Sequence, residues 1–336
     1  MNTLPPHSSS VQLRHHWLYR LMCGGFAAAL LAAPVEAEEV YPSHPVRLIV
    51  PFSAGGPSDT TARIAAKTLS TYLKQTVYIE NRTGGGGSVG VEAAAMAPAD
   101  GYTLVLSDAA TFVVVPLSRK VDYNIEKDFV GIGQIASAPQ ALVVNPESKF
   151  KTVKDLVEFA RTNPGKVSLG SAGIGTTTHL SIQLLQQDTS ISLVHVPYRG
   201  TTLSVADVLS QNIDAVFGDV ATLTTFVDGG KLTALATTGD TRSFVLPNVP
   251  TMTELGYPGV KMVNWFGLHV RADTPADIRQ KLKAAALAMQ GDPEFTDSLA
   301  KNRISAGAVG ADAFNVMVRE FWDRLSPVIK ALGPIN

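Results

Sequence analysis

Short apolar runs recur along the chain, and each is followed by a loop and a longer amphipathic stretch. Runs at 46–52, 77–80 and 102–106 predict buried strands, and the 60–73 stretch predicts a helix with one apolar face. The residues from 275 onward have mostly helical periodicity. Further predicted strands lie at 141–144, 167–170, 193–196, 215–217 and 234–237. This alternation of strands and helices predicts an α/β fold with a parallel sheet.

Residues 1–37 have a different pattern, which is typical of a secretory signal peptide. Arg14 and Arg20 give a basic start, and an apolar run at 21–33 is too short to span a membrane. Small residues at Val35 and Ala37 predict cleavage after Ala37. The protein is therefore expected in the periplasm, and cofactors such as NAD or ATP are not expected there.

Composition excludes several classes of protein. The chain has 336 residues, of which 45% are hydrophobic, and this is enough for a large core. Lys and Arg number 28 against 29 Asp and Glu, so no basic excess is available for nucleic acid. The single cysteine, Cys23, lies in the signal segment, which excludes a disulfide scaffold.

The loops that follow three predicted strands are rich in glycine and hydroxyl side chains. They are 53–56, 107–111 and 171–178. In open α/β sheets, ligands bind beyond the carboxyl ends of strands, where backbone N–H groups at helix starts can hold an anion. Helix capping and tight turns would explain any one of these loops alone. The three together favour a site for a small carboxylate.

A glycine-rich segment at 85–90 matches two catalytic or cofactor motifs. It fits the dinucleotide pattern G-x-G-x-x-G, with Asp108 about 20 residues later, but an exported chain and a short following helix disfavour that interpretation. It also fits the nucleophile pattern G-x-S-x-G, in which Ser88 could act with Asp219 and His269. An exported serine hydrolase is therefore the alternative from another functional class.

Metal binding is not indicated by the sequence. The histidines beyond the signal segment are His44, His179, His195 and His269, and no two of them are spaced three or four residues apart. We expect no metal and no cofactor.

Several ordered motifs give the chain from residue 38 a specific resemblance. They are Tyr41-Pro42, the stretch 45–59, Glu80-Asn81-Arg82, Ala97-Pro98-Ala99-Asp100-Gly101-Tyr102, Val143-Val144-Asn145-Pro146, His195-Val196-Pro197-Tyr198-Arg199-Gly200 and Trp265-Phe266-Gly267-Leu268. In these motifs the chain resembles the substrate-binding proteins of tripartite tricarboxylate transporters, the Bug or TctC family. The resemblance implies a two-lobed periplasmic-binding-protein fold (type II, Venus-flytrap) with a ligand cleft between the lobes. It places lobe 1 at 38–142 plus 265–336 and lobe 2 at 143–264.

The resemblance also implies which residues bind the ligand, partly through bridging waters. They are Phe52, Ser53, Ala54, Gly55, Gly56, Asp59, Ser107, Thr111, Phe112, Ser171, Gly175, Thr176, Thr177 and Asp219. The family often has His and Asn where this chain has Phe112 and Val115, and Phe-Asp-Asn where it has Phe217-Gly218-Asp219. A pocket lined by Phe112 and Val115 would suit an aromatic or longer-chain acid. The alternative is that both pack in the core.

The function implied by the resemblance is solute capture rather than catalysis. We expect a monomeric periplasmic receptor that binds a di- or tricarboxylate or an aromatic acid and delivers it to an inner-membrane permease. Presentation of the ligand to a sensor kinase is a further alternative that the sequence does not separate from transport.

Overall fold

The computed structural model describes residues 1, 3, 40–307 and 309–332. The predicted signal peptide and its cleavage position lie outside the described residues, apart from positions 1 and 3. From His44 onward the chain forms one unit by its internal contacts. No helix in the described part of the chain is both long enough and apolar enough to cross a membrane.

The first part of this unit is built around three parallel strands. β1 (Val46–Val50) lies between β2 (Val77–Asn81) and β3 (Thr103–Asp108), and α1 (Pro57–Leu73) connects β1 to β2. Helix α1 begins earlier than the periodicity indicates, because Pro57 occupies the first helical position, where a missing N–H costs nothing. α2 (Ser88–Ala95) follows β2.

Two long antiparallel strands lie at the centre of the sheet. β4 spans Phe129–Val144, and it follows two short helices, α3 (Val115–Ser118) and α4 (Ile125–Asp128). β9 (Val263–Arg271) lies between β3 and the first part of β4, and it is antiparallel to both. The sheet is therefore mixed rather than parallel throughout, which corrects the prediction from the apolar runs.

β4 changes its partners along its length. It pairs with β9 up to Pro139, and from Gln140 it pairs with β7 (Ala215–Asp219) and β8 (Thr233–Thr237). β5 (Ser168–Ser171) then pairs in parallel with β7 and with β6 (Val194–Pro197). The helices of this part are α5 (Val153–Thr162), α6 (Thr177–Thr189), α7 (Thr201–Leu209) and α8 (Val220–Asp228).

The C-terminal helices return to the first part of the sheet. α9 (Ala276–Gln290) packs on α1, and α11 (Ala311–Leu332) packs on β4. Between them lie α10 (Pro293–Lys301) and the short strand β10 (Ser305–Ala306), which pairs with β4. A cleft is lined by the carboxyl ends of β3 and β7, by the middle of β4 and by the first half of β9.

Candidate functional site

A cleft of about 500 Å³ lies beyond the carboxyl ends of β3, β5 and β7. Its apolar wall includes Phe52, Val114, Val115, Ile174, Phe266 and Ile304. Its neutral polar groups include Ser58, Thr176, Thr177, Thr178, Thr222 and Asn264. Its charged residues are Asp108, Arg119 and Asp219. A concave, mainly apolar site with a few polar groups has the character of a small-molecule pocket.

Residues of β4 and β9 alternate between this cleft and a second cavity. Ala138 and Asn264 line the cleft, while Ser137 and Trp265 line a cavity of about 570 Å³. Successive side chains of a strand point to opposite faces, so the second cavity lies behind the two central strands. Because ligands in α/β sheets bind beyond the carboxyl ends of strands, the cleft rather than this cavity is the candidate site.

The loop between β1 and α1 is held by a buried carboxylate. Asp59 accepts hydrogen bonds from the Gly55 N–H (2.9 Å), from Arg63 Nε (2.8 Å) and from Asn81 Nδ2 (2.9 Å). Burial by itself would raise the pKa of Asp59, but the hydrogen bonds from these three groups outweigh it and lower the pKa to about 2. Asp59 therefore holds the loop in place through these hydrogen bonds, and its predicted role as a ligand-binding residue stays a prediction.

The rest of this loop contributes less to the cleft wall than we predicted. Phe52 and Ser58 line the cleft. The described lining does not include Ser53, Ala54, Gly55 or Gly56, of which the first three are solvent-exposed. Contact between these four residues and a ligand stays a prediction.

The end of β3 is a tightly bonded turn. Asp108 Oδ1 accepts hydrogen bonds from the backbone N–H (2.8 Å) and the hydroxyl (2.7 Å) of Thr111. Ser107 is buried and hydrogen-bonded to His269 Nδ1 at 2.7 Å. Thr111 is buried as well, and its carbonyl accepts from the Tyr123 hydroxyl at 2.6 Å. Ser107 and Thr111 are therefore engaged within the fold and are not among the described lining residues, and their direct contact with a ligand stays a prediction.

Phe112 and Val115, the two departures from the family pattern, have different positions. Phe112 is completely buried, with its ring centroid 5.4 Å from that of Phe129 and 4.4 Å from that of His269. Phe112 therefore packs in the core and is not among the described lining residues of the cleft, and its contact with a ligand stays a prediction. Val115, one turn further on, does line the cleft.

The loop after β5 is rigidified by hydroxyl groups and a histidine pair. Ser171 is buried and hydrogen-bonded to His195 Nε2 at 2.6 Å, so it supports the loop instead of lining the cleft. The rings of His195 and His179 are stacked with centroids 4.0 Å apart. Burial, and to a lesser degree the neighbouring His195, lowers the pKa of His179 to about 4, so this pair is uncharged at neutral pH. The loop places the predicted residues Gly175, Thr176 and Thr177 on the cleft wall.

β7 ends at Asp219, which lines the cleft as predicted from its position at a strand end. It occupies the residue before α8, yet its side chain makes no capping hydrogen bond. Burial raises its pKa to about 6, and no described donor or cation offsets that effect. Asp108 likewise has a pKa raised to about 6 by burial, although the hydrogen bonds from its own turn oppose the rise.

Sequence reasoning missed one charged residue of the site. Arg119 follows α3 and lines the cleft, and its guanidinium donates a hydrogen bond to the carbonyl of Gly85. It lies outside the three strand-end loops on which the sequence argument was based. Asn264, Phe266 and Thr222 were also missed, because nothing in an apolar strand or a helix start marks them as cleft residues.

The serine hydrolase arrangement is not assembled. His269 is buried, is hydrogen-bonded to Ser107 and packs against the Phe112 ring at a tilt of 36°, so its ring is not paired with Ser88. Ser88 begins α2 and is itself largely buried. The described residues also contain no cluster of three or more His, Cys, Asp or Glu side chains that could hold a metal ion.

A family model described as "Tripartite tricarboxylate transporter family receptor" matches residues 61–334. The chain belongs to this family. It is 36% identical over 244 residues to Protein BugT of Bordetella pertussis, covering 72% of this chain and 74% of that one. It is 33% identical over 313 residues to a protein of Pseudomonas sp. strain P51 named for the tcbD-tcbE intergenic region, covering 91% of this chain and 93% of that one. The resemblance found in the sequence is thereby confirmed.

Solved structures confirm the fold class. The periplasmic binding protein BugD matches with a TM-score of 0.70 at 31% identity, covering 88% of this chain and 99% of that one. Rpa4515 of R. palustris, solved with adipate, matches with a TM-score of 0.72 at 28% identity, covering 86% and 97%. MatC of Rhodopseudomonas palustris, solved with malate, matches with a TM-score of 0.70 at 25% identity, covering 86% and 100%. The chain therefore has the two-lobed α/β fold of periplasmic binding proteins.

Proposed function

We propose that this protein is a periplasmic receptor that captures a small organic carboxylate and delivers it to a membrane transporter of the tripartite tricarboxylate type. The family membership and the carboxylates bound by Rpa4515 and MatC support the class of ligand. The observation that carries the proposal is the cleft at the strand ends, with its neutral hydroxyl groups and one arginine.

The N-terminus of α6 gives the cleft its first anion-binding element. Thr176 caps this 13-residue helix by accepting a hydrogen bond from the His179 N–H, and Thr176, Thr177 and Thr178 all line the cleft. Free backbone N–H groups and the helix dipole favour an anion at such an end. A carboxylate bound here needs no lysine or arginine from the helix itself.

Arg119 supplies the positive charge that α6 lacks. Its guanidinium lines the same cleft and is anchored on the Gly85 carbonyl, which leaves other N–H donors for a carboxylate. Ordered waters would complete the contacts, since a bridging water retains most of the enthalpy of a direct hydrogen bond.

Ligand capture requires that the lobes close on the solute. We propose lobe 1 at 38–142 plus 265–336 and lobe 2 at 143–264, with movement about the two central strands. The change of partner in β4 between Pro139 and Gln140 supports a boundary near this point. A hinge at element ends is a common way for binding proteins to enclose a ligand.

The proposal includes three finer statements. The mature protein begins after Ala37, works as a monomer, and binds its ligand without a cofactor and without chemical turnover. A receptor needs only a higher affinity of its closed state for the ligand. The two buried histidines, His179 and His269, are consistent with a structural role, because burial lowers the pKa of both far below neutral pH.

A thermal-shift screen of the purified protein against mono-, di- and tricarboxylates and aromatic acids tests this function. A ligand at a hundred times its dissociation constant should add about 2.7 kcal/mol to the free energy of unfolding. Arg119→Gln should weaken binding of the best ligand about tenfold, as expected for loss of a charge-assisted hydrogen bond. The matched control is Lys120→Gln, an exposed neighbour outside the cleft lining, which should leave binding unchanged. Absence of a shift with every carboxylate would contradict the proposal.

A further inference from the structure

The charges of the described cleft lining do not match a plain dicarboxylate. Two carboxyl groups, Asp108 and Asp219, line the cleft, and Arg119 is the one cation among the described lining residues. A dicarboxylate would bring two further negative charges into this space. In a partly buried site, like charges that are not offset by a cation or by hydrogen bonds weaken binding.

Asp219 is the acid with the fewest interactions. Its side chain neither caps α8 nor accepts a hydrogen bond from any described residue. Asp219 is partly buried, and a carboxylate withdrawn from water is normally hydrogen-bonded or paired with a cation, so an exception calls for an explanation. Asp108, in contrast, already has Thr111 as a hydrogen-bond donor through both its backbone and its hydroxyl.

A second acceptor in the cleft is also unsatisfied. Asn264 lies on β9 opposite Ala138 and lines the cleft, and its buried Oδ1 accepts no hydrogen bond within the described part of the chain. A buried polar atom without a partner destabilises the protein, so such atoms tend to be satisfied by a ligand or a water. Asp219 and Asn264 thus both offer acceptor oxygens, and both belong to the described lining of one cleft.

This inference rests on the proposed function, because it concerns the same cleft. We infer that the natural ligand carries a positively charged nitrogen as well as its carboxylate, with Asp219 as the counter-ion of the nitrogen. The carboxylate would lie toward Arg119 and the N-terminus of α6. A zwitterion with separated charges adds no net charge to the cleft and satisfies acceptors and donors at once.

The charged groups around the ligand are few enough for a pH test. In the described cleft lining they are Asp108 from β3, Arg119 after α3 and Asp219 from β7. The other elements of the wall, α1, α6 and β9, present neutral groups such as Ser58, Thr177 and Asn264. Because burial raises the pKa of both carboxyls to about 6, they are mainly ionised at pH 7.5 and mainly protonated at pH 5. Affinity for an ammonium ligand should therefore fall as the pH is lowered, and affinity for a dicarboxylate should rise.

The test compares ligands that share one skeleton and differ at one end. The linear set is 6-aminohexanoate, adipate and hexanoate, and the aromatic set is 4-(aminomethyl)benzoate, terephthalate and 4-methylbenzoate. Dissociation constants are measured by calorimetry at pH 7.5 and pH 5. In at least one set, we expect the amino acid to bind about tenfold or more tightly than both companions at pH 7.5, as for a charge pair worth at least 1.4 kcal/mol.

Variants assign the preference to Asp219. Asp219→Asn should abolish the preference for the amino acid. Asp228→Asn removes the same charge at the exposed far end of α8, and this variant should retain the preference. If Asp219→Asn does not fold, the two pH values on the unaltered protein decide the question. Tighter binding of the dicarboxylate, strengthened by Asp219→Asn or by pH 5, would overturn this inference and leave the receptor function intact. No binding by any member of either set, nor by any acid in the wider screen, would overturn both.

Discussion

The ends of β3 and β7 look alike in the sequence but differ in what their aspartates do. Each strand ends in a carboxyl that lines the cleft, and burial raises the pKa of each to about 6. Asp108 accepts two hydrogen bonds from the turn that follows it, whereas Asp219 accepts none from the described residues. Burial alone therefore does not identify a ligand-binding carboxyl; its existing hydrogen bonds must be counted as well.

Local sequence explains the difference. After β3, the apolar residues Phe112, Val113 and Val114 draw the chain into the core as a π-helical turn, which brings the Thr111 N–H and hydroxyl onto Asp108. After β7, the chain enters α8 directly. Gly218, next to Asp219, lets the start of α7 pack closely against β7, because a Cβ at Gly218 would lie 2.4 Å from Thr201 Cγ2. The end of β3 is therefore built for stability, and the end of β7 is left open to the cleft.

The largest expected change in stability comes from a substitution that tests whether the turn after β3 is buried. Phe112→Ala should lower the free energy of unfolding by about 3–5 kcal/mol, because it empties a fully buried site. Urea unfolding followed by circular dichroism measures this change. The matched control is Phe244→Ala, at a half-exposed ring, which should cost less than about 1 kcal/mol. A loss at Phe112 as small as that of the control would place its ring outside the core.

The next largest change in stability is expected when the hydrogen bonds of Asp108 are removed. Asp108→Ala removes the acceptor for two donors of Thr111 and should cost about 2–3 kcal/mol, since buried donors left without partners are expensive. Asp108→Asn retains one acceptor oxygen and, like Asp219→Asn, removes a carboxyl whose pKa is raised by burial, so it should cost less than half as much. Equal stabilities of the two variants and the unaltered protein would show that the turn does not depend on these bonds.

The apolar pattern predicted most of the fold but not its centre. It located β1, β3 and β7 and the C-terminal helices, because each is a continuous apolar run or an amphipathic repeat. It missed the first part of β4, where Gly131, Gly133 and Pro139 interrupt the run and where pairing with β9 supplies the stability. A strand that depends on a partner more than 100 residues away leaves little local signal.

For the site, the sequence predicted the region but not the side chains. The strand-end loops were located correctly, and Thr176, Thr177 and Asp219 do line the cleft. Asp59 and Ser107 were predicted as ligand contacts because their positions matched the family, yet their oxygens are engaged by Arg63 and His269. Such hydrogen bonds join distant parts of the chain, so spacing along the sequence does not reveal them.

A smaller effect of opposite sign is expected at Asp219. Because burial raises its pKa, the folded state binds more protons than the unfolded chain between about pH 4 and 6, and this carboxyl contributes less stability as pH rises through that window. Asp219→Asn should therefore stabilise the ligand-free protein by about 1–2 kcal/mol at pH 7, after allowance for solvent screening, and by nothing measurable at pH 4.

The gain in stability of Asp219→Asn is measured from the midpoints of urea unfolding at several pH values. Asp228→Asn is the control, because an exposed aspartate at the other end of α8 should give no pH-dependent difference. A gain at Asp219 that is constant with pH would mean that the carboxyl is not destabilised by burial. A loss of stability would mean that Asp219 has a structural partner as Asp108 does.

A final pair of identical substitutions, one at each strand end, compares the two ends directly. Thr111→Val removes a hydroxyl that donates to Asp108 at 2.7 Å, and it should cost about 1–2 kcal/mol of stability. Thr222→Val removes a hydroxyl that lines the cleft in the first turn of α8, and it should change stability by less than about 0.5 kcal/mol. Binding of the best ligand from the screen should show the reverse order, a loss of a few-fold for Thr222→Val and little for Thr111→Val. Equal losses of stability at the two sites would remove the distinction, because polar groups at the end of β7 would then serve the fold as those at the end of β3 do.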